Sequence, residues 1–127
     1  MVYQKLLCLT HLVLIKEGME TMKVNVLGTE YSIIETNKVD DINLEQCAGY
    51  CDASVKKIVI DTFQNTPGSM EDLDKFRKQV IRHELIHAFL SESGLECESW
   101  AKDEEIVDWI AIQFPKLIEA FEKANAI

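Results

Sequence analysis

The sequence predicts a small α+β domain, because a block of short β-rich runs is followed by a block of helical ones. Three observations carry this. Val24 and Val26 alternate with polar residues, Gly28-Thr29 punctuates, and Tyr31, Ile33 and Ile34 resume the run, which reads as a hairpin. Leu73, Phe76, Val80, His83, His87 and Leu90 recur at steps of three and four, the period of one helix face. Trp100, Ile106, Val107, Trp109, Ile110 and Phe114 then supply apolar area to a further helix. At 127 residues, 47% hydrophobic and 28% charged, the chain is long enough for one modest core.

Residues 1–21 stand apart. Leu6 to Ile15 is an apolar run broken by Thr10 and His11, too short to span a bilayer, which takes ~20 residues. Lys16-Glu17-Gly18-Met19-Glu20 follows, and this is not a small-residue cleavage site. Lys-Glu-Gly back-translates to the purine pattern AAR-GAR-GGN of a ribosome-binding sequence. Met19 and Met22 come directly after. Translation is therefore expected to begin at Met22 or Met19, with residues 1–21 a doubtful leader and 22–127 the folded domain. The mass of the natively expressed product decides this.

Within the domain, Asn37 to Asp41 reads as a loop, Ile42 to Ala48 as a short helix carrying Leu44, and Gly49 to Asp52 as a turn. Lys56 to Asp61 is β-branched at its centre and charged at its ends, the pattern of a protected edge strand. Such an edge can also take up an extended peptide. Ser69 is placed to cap a helix that starts at Met70, with Asp72 in its first turn. Gly94 ends that helix. Pro115 is expected to interrupt the next helix or to open a new one, and Lys116 to Ala124 closes the chain.

Composition narrows the function. The net charge of −9 argues against a nucleic-acid surface. Lys75, Arg77, Lys78 and Arg82 form a small basic group that reads as a solvated helix face. The four cysteines, Cys8, Cys47, Cys51 and Cys97, contain no paired zinc-knuckle spacing. Free thiols and a cytoplasmic location are expected, with no membrane partner. A structural metal site on Cys47, Cys51 and Cys97 is the lesser reading.

The chemistry lies in His83-Glu84-Leu85-Ile86-His87. Two histidines four apart share a helix face and can reach one ion, with the intervening glutamate free to act on a water. Catalytic zinc usually takes three protein ligands. The remaining histidine, His11, lies in the leader, so a carboxylate is required. Glu104 and Asp108 are four apart on the next helix. Glu104 is the favoured third ligand, and Asp108 would accept a hydrogen bond from the free ring N–H of a zinc histidine. Glu105 is the competing ligand; it points about 100° away and has no Asp four residues on.

This combination, HExxH at His83–His87 followed by Glu104-xxx-Asp108, resembles the gluzincin metallopeptidases. The likeness is greatest to the small minigluzincin-like and ImmA/IrrE-type endopeptidases, many of them phage- or prophage-borne. It extends to Gly49-Tyr50-Cys51-Asp52 with the Ile58-Val59-Ile60-Asp61 strand, and to His87-Ala88-Phe89-Leu90 with Ser93-Gly94-Leu95. The resemblance implies a minimal zincin-like core, in which a small twisted sheet packs on the HExxH helix and a Glu-bearing helix lies behind. It also implies zinc (Zn2+) and a protein or peptide substrate. Glu84 is expected to be the general base. Tyr50 is the first candidate to donate to the developing oxyanion and Tyr31 the second. Arg82 is expected to project to the polar side, without a role. The competing reading is a zinc-binding, non-catalytic regulatory or interaction module of phage origin.

Overall fold

The computed structural model describes residues 21–64, 71–95 and 99–127. Residues 1–20 of the expected leader, with Cys8 and His11, and also Cys97 and the expected Ser69 cap lie outside the described residues; Thr21, the last residue assigned to the leader, opens the first strand. The chain is a small α+β fold: four strands in one mixed sheet, then two long helices. Strands β1 (Thr21–Val26) and β2 (Thr29–Thr36) form the expected antiparallel hairpin. Its two-residue turn puts both Leu27 and Gly28 at positive φ, 50° and 90°, the pairing that matches the twist of the flanking strands. The Asn25 side chain accepts a bond from the Gly28 N–H.

The sheet order is β1-β2-β4-β3, with β3 at Gly49–Asp52 and β4 at Lys57–Asp61. This corrects two expectations. The Lys56–Asp61 run is not an edge. Strand β4 lies inside the sheet, parallel to β2 and antiparallel to β3, and Ile58, Val59 and Ile60 are all buried. A continuous apolar run is the mark of a strand covered on both faces, and Lys56 just before it pairs with Glu92. The residues expected to form a turn, Gly49 to Asp52, form one of the two edge strands, the other being β1. Before it, the expected short helix is a 3-10 turn, Ile42–Glu45, with Leu44 buried.

Helix α1, Leu73–Glu92, crosses one face of the sheet. Its N-cap is Asp72, whose side chain accepts the Lys75 N–H. Gly94, at φ 74°, stops it: Leu95 N–H bonds Leu90 O and Gly94 N–H bonds Ser91 O, the paired closure a left-handed residue permits. The innermost line of α1 is Val80, Glu84 and Ala88, and it packs on Val26, Tyr31, Ile33, Ile58 and Ile60. His83 and His87 sit on the adjacent line. Polar ties hold α1 to the sheet near both ends. Arg77 pairs with Glu35 near the N-terminus. Near the C-terminus, Glu92 accepts from Thr29 (3.1 Å), Tyr31 (2.7 Å) and Lys56 (2.6 Å).

A 3-10 turn, Trp100–Lys102, leads into helix α2, Glu104–Lys123. Helix α2 buries Val107 and Ala111 and packs on α1, whereas Trp100, Ile106, Trp109 and Phe114 stay largely exposed. Pro115 neither interrupts nor starts a helix; α2 runs through it. The expected solvated basic face is also divided. Lys78 pairs with Asp74 on the surface, but Arg77 joins α1 to β2, and Arg82 joins it to α2, its Nε donating to Ala111 O at 2.7 Å. No helix among the described residues is long and apolar enough to cross a membrane.

Candidate metal centre

The antiparallel packing of α2 on α1 brings three side chains to one point. The Nε2 atoms of His83 and His87 are 3.0 Å apart. The Glu104 carboxylate lies 3.0 Å from His83 Nε2 and 3.1 Å from His87 Nε2. Glu105, the competing candidate, is not in this group, which is His83, His87 and Glu104. Asp108 Oδ1 is 2.9 Å from His83 Nδ1. A carboxylate only accepts, so Nδ1 carries a ring proton toward Asp108, and with an ion in the group Nε2 would be the ligating atom.

The chemistry of this donor set fits a cation. Lone pairs and a carboxylate oxygen repel one another at about 3 Å unless a proton or metal lies between them. A four-coordinate ion with bonds of 2.0–2.1 Å holds its donors about 3.3 Å apart, close to the spacings seen here. Imidazole and carboxylate donors suit divalent transition metals, zinc and iron(II) among them.

Glu84 follows the first histidine but turns inward, and it is only 7% exposed. Burial pushes its pKa up to about 7; the His83 ring works against this and the Glu104 charge adds to it. The Glu84 and ligand side chains line a cleft of about 650 Å³, walled on the other side by Cys47 to Cys51. Ala48 O accepts the Asp61 N–H at 3.0 Å. The alternation of an antiparallel ladder then directs the backbone of Gly49 and Cys51 to the outer edge. Cys47 lies beside that edge, and its S–H donates to Asn43 O at 3.2 Å. Burial, followed by the Glu84 charge, pushes the Cys47 thiol up.

The two tyrosines differ. Tyr50 lines the cleft, but its hydroxyl donates to Asp41 at 2.5 Å. Burial and then this bond push its pKa up to about 12. Tyr31 is not at the site. It is fully buried under α1 with its hydroxyl on Glu92, so it cannot serve the cleft. Sequence reasoning gave Asp41 no role, read Cys47 as a free thiol or a lesser metal ligand, and expected Arg82 on the polar side without a role. Nothing in the local pattern marks them, because each acts through a partner in another segment or through tertiary placement.

The chain matches no protein-family profile, no curated protein and no solved structure.

Proposed function

We propose that the protein is a zinc-dependent peptidase whose ion is held by His83, His87 and Glu104. The observation that carries this reading is the convergence of those donors beside a buried carboxylate of raised pKa, in a cleft bordered by an edge strand. Zinc bound there would lower the pKa of a water toward neutrality and polarise a scissile carbonyl. Glu84, buried beside the three donors, would take a proton from an attacking water and pass it to the leaving amine. Asp108 fixes the His83 ring so that Nε2 faces the cleft, and raises its basicity. The outer edge of β3 borders the cleft, and an extended peptide could add to the sheet there.

The test is metal analysis of purified protein together with the Glu84→Gln variant. One zinc per chain and peptide cleavage are expected for the wild type, and Glu84→Gln should keep the zinc and lose the cleavage. Equal cleavage by the variant, or no bound metal, would overturn the reading. The Tyr50–Asp41 bond favours a second reading, a zinc-holding module that binds peptides without turnover. In that case the wild type would bind zinc and peptide and cleave nothing.

A further inference from the structure

A helix that runs through a proline leaves one carbonyl behind. Pro115 has no N–H, so Ala111 O lacks its partner four residues on. Ala111 is buried, and an unpaired buried carbonyl is costly. Arg82 answers it from α1, with Nε at 2.7 Å. Along the two antiparallel helices this bond is the third rung of a ladder. His87 meets Glu104, His83 meets Asp108, and Arg82 meets Ala111.

The first two rungs do not define their own register. Glu104 and Asp108 are both carboxylates, one turn apart on one face. A shift of α2 by one turn, ~5.4 Å, would carry Asp108 to His87 and leave an apolar residue, Ile112, facing His83. Carboxylate chemistry alone tolerates that shift, but the third rung does not. Inside α2, a proline frees one carbonyl, so Arg82 finds its acceptor in one register. We infer that Arg82 and Pro115 act together as a register clasp that places Glu104 and Asp108 over the histidines. This rests on the zinc reading of the same site. Arg82 is a positioning residue, since it touches neither the ligand group nor the cleft.

The test is zinc affinity of the full chain by competition titration at 25 °C, with thermal melts alongside. Arg82→Met should bind zinc about tenfold more weakly. Pro115→Ala is the discriminating variant. It returns an N–H to Ala111 O and should stabilise the helix, yet it should weaken zinc binding about threefold or more, because that N–H competes with Arg82 for the Ala111 carbonyl. The double variant should bind no more weakly than Arg82→Met alone, because both changes break one bond. Pro115→Ala binding zinc as tightly as the wild type would overturn the clasp, as would losses that add, and it stays decisive if Arg82→Met fails to fold. A wild type that binds no zinc removes the metal reading and the clasp with it; a zinc-binding wild type with an unaffected Arg82→Met removes the clasp alone.

Discussion

Glu84 carries the sharpest consequence of its surroundings. Its pKa in the folded chain is about 7, against an ordinary value of 4.5. Between these values the folded state binds the extra proton, so stability falls as pH rises across that window and levels off above it. In metal-free protein, denaturant melts from pH 4.5 to 8 should show this decline, up to about 3 kcal/mol if the full shift is realised. Glu84→Gln should flatten it and leave the protein more stable than wild type at pH 8. The ligand assignment makes a second expectation. Glu104→Ala should reduce zinc affinity by more than about a hundredfold, since a three-ligand site loses one donor. Glu105→Ala, whose side chain lies outside the group, should stay within about twofold in the same titration. His83, Glu84, His87, Glu104 and Asp108 were all legible in the sequence, because helical spacing fixes which side chains share a face. Tyr50 was legible as a cleft residue but not as the partner of Asp41, a bond that depends on how the 3-10 turn folds back on the edge strand.

Among the elements, the hairpin and α1 could be read because their signals are local: a Gly turn between β-branched runs, a 3.6-residue stripe and a Gly stop. The order of the strands was not local. Lys56 and Lys57 looked like edge protection, yet β4 became the second inner strand when β3 paired outside it. Gly49-Tyr50-Cys51-Asp52 has no alternating pattern to announce a strand. Pro115 is tolerated because a donor 33 positions earlier in the chain, Arg82, reaches Ala111 O, and no window of sequence displays that. The hairpin turn contains a residue open to improvement. Leu27 is 61% exposed and held at φ 50°, where a branched side chain is strained. Leu27→Asn should raise stability by about 0.5–1 kcal/mol, read as a shift in the urea midpoint at constant slope.

For the whole molecule, the two helices contribute unequally to the fold. Helix α1 is tied to the sheet near both ends, while the packing of α2 is on α1. An ion drawing ligands from both would cross-link them, so zinc is expected to act on global stability as well as on the site. At free zinc about 100 times the dissociation constant, the gain is ~2.7 kcal/mol, roughly a 10 °C rise in melting temperature for a domain of this size. Calorimetry with and without a chelator measures it, and Glu104→Ala should abolish the difference. One residue links the sheet, α1 and the cleft wall. A Cβ at Gly49 would stand 2.9 Å from Ile60 Cδ1, Val59 O and Val80 Cγ1. Substituting it must therefore displace backbone as well as side chains, at a cost of about 1–3 kcal/mol. The wall of the cleft is thus also a seam of the core, and the width of the gap above His83 and His87 cannot drift independently of folding. Under the peptidase reading, variation in what the cleft takes would come from the outer side of β3 and from the segment that carries Cys47, where change leaves the seam closed.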